Sequence, residues 1–230
     1  MNNINTMRQL KYFLSKNCYE MLVITLLFHL YGSLFFSDIF FYGTYVRILN
    51  TIMLYLASTN SFLNRNNKKS KIGEISISSL FLINISLMFV NKNSIFLEIR
   101  DISYLIFLSL TLSNIAKFLI SPHRFDKALI SASLAGYLLI IEIAVRSFMI
   151  LYKIEVNPVL NNIDFTYHTK TFIDTVYYCT VTITSIGFGD ILPISHKAKM
   201  LTSILGLMGQ FYLVVIMGIM VSKYISSNHK

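Results

Sequence analysis

The sequence predicts an all-α integral membrane protein of six spanning helices, with a short helix and an extended segment re-entering the membrane before the sixth. Three observations carry that expectation. The 230-residue chain is 54% hydrophobic and only 13% charged, too apolar for an ordinary soluble domain of its size. Six apolar runs approach the roughly 20 residues that a helix needs to cross a hydrocarbon core about 30 Å thick. Lysines and arginines collect between the runs, and more on one side than on the other.

The runs are Cys18 to Phe36, Ile39 to Ser58, Ile75 to Val90, Ile102 to Ile120, Ala128 to Tyr152 and Ala198 to Tyr224. Only Ser37 and Asp38 separate the first two, which predicts a tight antiparallel hairpin with Asp38 at its tip. Placing the N-terminus inside keeps Arg65, Lys68, Lys69, Lys71, Lys117, Arg124 and Lys127 in the cytoplasm, where short loops retain basic residues. The opposite loops mix Lys92, Arg100, Lys153 and Lys170 with Asp38, Glu98, Asp101, Glu155 and Asp164. Both termini are therefore expected in the cytoplasm, with the chain in the plasma or bacterial inner membrane. No small-residue cleavage site follows the first apolar block, which reads as an uncleaved signal anchor. The expected organisation is a cytoplasmic N-terminus over 1–17, a four-helix membrane domain over 18–120, a cytoplasmic linker over 121–127, a second membrane domain over 128–224 and a tail over 225–230.

One external loop stands apart. Between the fifth and sixth runs lie 45 residues, Lys153 to Lys197, far more than a connection requires. They hold a shorter apolar pattern, "FIDTVYYCTVTI" from Phe172 to Ile183, too short to span but long enough to enter the membrane. It is followed by "TSIGFGD", Thr184 to Asp190. Non-helical backbone at membrane depth is tolerated only where protein buries it or it lines a water-filled path. Successive carbonyls point to one side only if the backbone alternates in hand, which Gly187 and Gly189 permit. The partially negative C-terminal end of the preceding helix would favour a cation. Thr182, Thr184 and Ser185 add hydroxyls where helix gives way to strand, and Asp190 closes the stretch on the outer side.

These residues resemble the potassium-channel pore family. Its signature, commonly TxTTVGYGD, is read here as TITSIGFGD over Thr182 to Asp190, with Thr to Ser, Val to Ile and Tyr to Phe exchanges. The resemblance covers about residues 128 to 224, and the six-span layout with one pore loop is similar to the wider tetrameric cation-channel superfamily. It implies a pore domain with an outer helix over 128–152, a pore helix over about 170–183, a filter over 184–190 and an inner helix over 198–224. It implies potassium as the permeant ion, held by Thr184, Ser185, Ile186, Gly187, Phe188, Gly189 and Asp190. It also implies filter support from Tyr177, Tyr178 and Thr182, and a gating hinge at Gly209. Phe188 cannot make the hydrogen bond of the family's tyrosine, which loosens the expected brace. One filter strand per chain implies a homotetramer. Gly206, Gly209 and Gly218 read equally well as close helix contacts, and Gln210 has two readings, cavity or neighbouring helix.

Three charges fall inside spans. Glu142 and Arg146 are four residues apart on the fifth span and can neutralise each other. Arg47, in the second span, has no partner in its own helix and is expected to reach Glu142 in the same or an adjacent subunit. His29, Asn50, Asn84 and Asn114 read as interhelical hydrogen-bonding groups, and Cys18 and Cys179 as packing thiols. The fourth span carries only Lys117, not the repeated basic residues of a voltage sensor, so weak or no voltage dependence is expected despite the sensor-like layout of the first four spans. Six residues follow Tyr224, and no cytoplasmic gating domain is expected there.

No enzyme is expected, because no nucleophile–base pattern or His/Cys ligand cluster appears, and no cofactor is expected beyond K+ as permeant ion. The net charge of +9 is distributed between apolar blocks rather than on one basic face, which excludes nucleic acid as the expected partner. The expected partners are membrane lipid, three further copies of the chain, and a regulatory ligand or protein of unidentified kind. The basic run "RNNKKSK", Arg65 to Lys71, reads either as an anionic-lipid contact or as a topology-setting loop. Two other functions stay open at this point: a weakly selective cation channel, suggested by Phe188, and a secondary transporter with "SIGFGD" as an unwound binding loop.

Overall fold

The computed structural model describes residues 17–63, 79–80, 94–121 and 125–228. Among the described residues the regular structure is helical, apart from one isolated antiparallel bridge between Leu160 and Pro193. Five helices among the described residues are long and apolar enough to cross a membrane. The expected third span, Ile75 to Val90, lies outside the described residues except for Ser79 and Leu80.

Helix α1 covers Cys18–Tyr31 and tightens into a 3₁₀ turn over Gly32–Phe35. Asp38 then starts the next helix as its N-cap, with Oδ1 accepting from the amides of Phe40 (2.9 Å) and Phe41 (3.1 Å). After one turn, Ile39–Phe41, the chain widens into a π-helix over Tyr42–Val46 and continues as α2, Arg47–Leu63. The wide turn coincides with a close approach: a Cβ on Gly43 would collide with the side chain of Thr169. Helix α3 covers Ser94–Ile120. Helix α4, Lys127–Ile154, is capped by Asp126, whose carboxylate accepts from the Leu129 amide at 2.9 Å. The short helix α5 covers His168–Ile183 and α6 covers His196–Asn228.

Helix α4 is the centre of the bundle, packing against α1, α3, α5 and α6. Its Leu139, Ala144, Val145 and Phe148 are fully buried. Polar residues in the spans pair between helices: Asn50 donates to the Thr25 carbonyl (3.4 Å) and Asn114 to Ser61 Oγ (3.3 Å). Asn84 lies outside the described residues. Cys18 and Cys179 are buried.

Glu142 is fully buried on α4, and Arg146 Nε donates to its Oε1 at 2.8 Å. His29 Nε2, from α1, lies 3.3 Å from the same oxygen. Arg47 does not join them within the chain. Its Nη2 instead donates to Nδ1 of His168 at 3.1 Å, and its guanidinium sits 5.0 Å above the Phe172 ring. The physical reason is the π-turn, which sets the start of α2 against the start of α5, where Gly43 meets Thr169 and Arg47 meets His168.

Helix α6 differs from α4. Only 11% of its most apolar window is buried by the chain itself, and Phe211, Val214 and Met217 are widely exposed.

Removing one partner of a buried pair leaves an uncompensated charge. Glu142→Ala is expected to lower stability by about 3–5 kcal/mol, while Glu142→Leu with Arg146→Met recovers most of the loss. Detergent-induced unfolding of the solubilised protein measures both, and an unchanged Glu142→Ala variant would contradict the assignment.

Candidate functional site

The segment 184–190 begins where α5 ends, and its backbone is set by that ending. The Ser185 amide bonds to the Thr182 carbonyl (3.0 Å) and the Ile186 amide to the Val181 carbonyl (3.0 Å). This is the Schellman pairing, and it requires a left-handed residue at the position Ser185 occupies, with φ of 60°. A serine in that conformation is uncommon. Gly187 and Gly189 also have positive φ, 59° and 80°, whereas Ile186 and Phe188 do not. The backbone therefore alternates in hand over Ser185, Gly187 and Gly189, the arrangement that lets successive carbonyls share one side.

Side chains from three directions hold this strand. At its start, Thr184 Oγ1 donates back to the Thr180 carbonyl (2.7 Å), while Gln210 of α6 donates its Nε2 to Ser185 Oγ (2.6 Å). At its far end, Tyr177 donates its hydroxyl to Asp190 Oδ2 (2.6 Å). Asn162 Nδ2 donates to the Asp190 carbonyl (2.7 Å), and Asn161 exchanges bonds with Leu192, through its amide (3.1 Å) and its Oδ1 (2.5 Å). Between the two ends Ile186 and Phe188 are exposed, and a Cβ on Gly187 or Gly189 would meet nothing within 4 Å.

The two tyrosines of α5 part company. Tyr177 braces Asp190, while the Tyr178 hydroxyl pairs with Thr202 Oγ1 of α6 at 2.6 Å and its ring stands edge-on to Phe148 at 5.3 Å. Neither contact reaches the Phe188 ring. Thr182 contributes through its carbonyl, as above. Gly209 lies where α6 meets the end of α5: a Cβ there would stand 2.8 Å from both the Ile183 carbonyl oxygen and its Cγ2. That is a close packing contact in a helix that runs unbroken from His196 to Asn228. Gly206 and Gly218 have no such neighbour within the chain. Arg47, Glu142 and Arg146 stand apart from the strand, around the opposite end of α5 and the middle of α4.

Two features escaped the sequence reading. The first is the pair Asn161–Asn162, whose second residue has a φ of 50°. An Asn-Asn dipeptide in a long loop is a turn signal, since Asn tolerates the left-handed region and its side chain bonds to backbone. The second is the choice of Gln210, which sequence alone leaves open because Ser185 lies 25 residues away.

Residues 137–226 match a family model described as an ion channel, which supports an ion-channel reading of that part of the chain. A protein of Methanothermus fervidus described as uncharacterized is 44% identical over 50 residues, which are 22% of this chain and 8% of that protein. The chain thus covers less than a tenth of that relative's length. No solved structure matches the chain.

Tyr177 holds the exposed Asp190 carboxyl below its ordinary value by donating to it. A lowered carboxyl pKa makes the brace complete above the ordinary carboxylate range, near pH 4, and lost as pH falls through the lowered value. Measured against the intrinsic rate at each pH, amide hydrogen exchange over residues 186–192 is expected to lose protection in that acid window in the natural protein. Tyr177→Phe should quicken it already at neutral pH; an unchanged profile would contradict the brace.

Proposed function

We propose that the chain forms a potassium-selective channel, four copies surrounding one pore, with the segment 184–190 as the filter. The observation that carries this reading is the alternation of backbone hand over Ser185, Gly187 and Gly189 at the C-terminal end of a helix too short to span. The carbonyls of Ser185, Ile186, Gly187 and Phe188, with the Ser185 hydroxyl, would replace the water shell of a dehydrated cation. Asp190 would form a ring of negative charge at the outer mouth, and Gly209 would be the hinge of the inner helix. The match of residues 137–226 to the ion-channel family supports the channel class.

The tetramer explains what the single chain leaves uncovered. An isolated strand with exposed Ile186 and Phe188, and an inner helix with an exposed apolar face, fit a wall shared among copies. Potassium follows from the resemblance of TITSIGFGD to the potassium-channel signature. Helix α3 carries Arg100 near one end and Lys117 near the other, without a ladder between them, so the channel responds weakly or not at all to voltage. The second reading is a weakly selective cation channel. It is favoured by Phe188, which leaves the middle of the strand without the side-chain bonds that hold both ends.

The test is ion flux into liposomes containing the purified protein, with potassium and sodium gradients compared. Potassium flux without matching sodium flux is the expected result; equal fluxes would replace selectivity with the second reading, and no flux of either ion would overturn the channel. Gly187→Ala puts a side chain on a residue at positive φ, and is expected to abolish flux while leaving the assembled protein intact.

A further inference from the structure

A polar cavity of about 250 Å³ lies beside the start of α5, away from the strand. Its lining includes Arg47, Arg100, Arg146, Asp101, Tyr104 and His168. The elements bring these residues together near one end of the bundle: Arg47 opens α2, Arg100 and Asp101 lie in the first turns of α3, and His168 opens α5.

The charges do not balance. Asp101 is shared by Arg100 (3.2 Å) and Lys153, and Glu142 is taken by Arg146. Four cations thus face two carboxylates, and Arg47 is the one whose described contacts include no carboxylate. Its Nη1 is buried with no hydrogen-bond partner. Of the residues outside the described set, Glu74 alone is acidic. Arg47 and Arg146 are held over one ring, Phe172, at 5.0 and 5.5 Å, which places two like charges close together. His168 reports the same field. Burial first, then Arg47, Arg146 and Arg100, push its pKa down to about 4, so at neutral pH its Nδ1 accepts from Arg47.

A buried guanidinium retains its charge and needs an acceptor. The cavity has room for several waters at about 30 Å³ each, so an anionic group fits together with part of its hydration. We propose that this cavity binds a phosphate group, with Arg47 and Arg100 as its principal donors. Arg favours phosphate over a point anion because its planar donors match two oxygens at once. The phosphate has two sources, a lipid headgroup entering from the membrane or free phosphate in solution, and the same donors serve both. This site is independent of the conduction pathway and does not rest on the channel reading.

The experiment is thermal stability of the full-length protein in a neutral detergent, at constant ionic strength, with three probes: inorganic phosphate, short-chain phosphatidylglycerol and short-chain diacylglycerol, which carries no phosphate. Chloride serves as the control anion. A saturable upward shift with phosphatidylglycerol alone identifies a headgroup site, and a shift with inorganic phosphate identifies a site for the free ion. Arg47→Gln is expected to remove the shift and Arg100→Gln to weaken the apparent affinity about tenfold. Asp101→Asn, which removes a negative charge from the lining, is expected to strengthen it. That opposite sign is a response a general loss of structure does not give. If Arg47→Gln fails to fold, the Arg100 and Asp101 variants decide. No shift with either phosphate probe beyond chloride, an equal shift with diacylglycerol, or an unchanged shift in Arg100→Gln and Asp101→Asn would overturn the proposal.

Discussion

Backbone amides and carbonyls that leave a helix inside a membrane protein cannot turn to lipid for hydrogen bonds. The segment from Thr184 to Asp190 therefore depends on the rest of the protein, and much of what surrounds it is an answer to that need. The Schellman pairing at Ser185 satisfies two carbonyls at the end of α5 and starts the alternation of hand in the same step. Gln210 fixes the first end from α6, and Tyr177, Asn161 and Asn162 fix the far end from α5 and the long loop. The long loop after α4 is thus a structural part of the strand, since the segment 159–162 pairs back onto 190–194. Loop residues near the start of α5 fold tightly as well: Asp164 accepts from the Thr166 amide and from Lys170 Nζ, both at 2.8 Å.

The second constraint is electrostatic. A carboxylate buried in a bundle must be compensated where it stands, and Glu142 is placed where α1 and α4 meet, so that His29 and Arg146 approach it together. Fixing those contacts positions the face of α4 against which α5 packs. The placement of Arg47 has a different origin: the π-turn over Tyr42–Val46 sets the second-span arginine over Phe172 and onto His168, and a basic cavity results.

Much of the helical architecture was legible because the membrane imposes long apolar runs, and those runs are explicit in sequence. Asp38 was legible as the tip of the hairpin between the first two runs; that it and Asp126 also cap helices follows because a short acidic side chain just before an apolar run satisfies orphan amides. The two glycines of the strand were legible because few other residues take positive φ. Ser185 was not, because its conformation comes from the end of α5 rather than from its own preference. The destination of Arg47 was illegible for a different reason. Sequence gives the depth of a charge but not its azimuth around the helix, and the π-turn over Tyr42–Val46, which resets that azimuth, has no strong local signature. Tyr177 and Tyr178 show the same limit: adjacent residues on one helix point about 100° apart, so one meets Asp190 and the other meets Thr202.

The first two helices do more than surround the strand-bearing half. They clasp α5 along its length, through Arg47 on His168 and Gly43 against Thr169 at its start, and through the Tyr31 hydroxyl paired with Thr180 Oγ1 at 2.8 Å near its end. Thr180 is in turn the residue whose carbonyl receives the Thr184 hydroxyl and amide, one step before the left-handed Ser185. A helix of 16 residues is about 24 Å long at 1.5 Å per residue, and it is held at both ends by the same hairpin. Any displacement of that hairpin moves the residue from which the strand is hung. The collar of outer helices thus bears directly on the geometry of 184–190, with no charge ladder needed to make the connection.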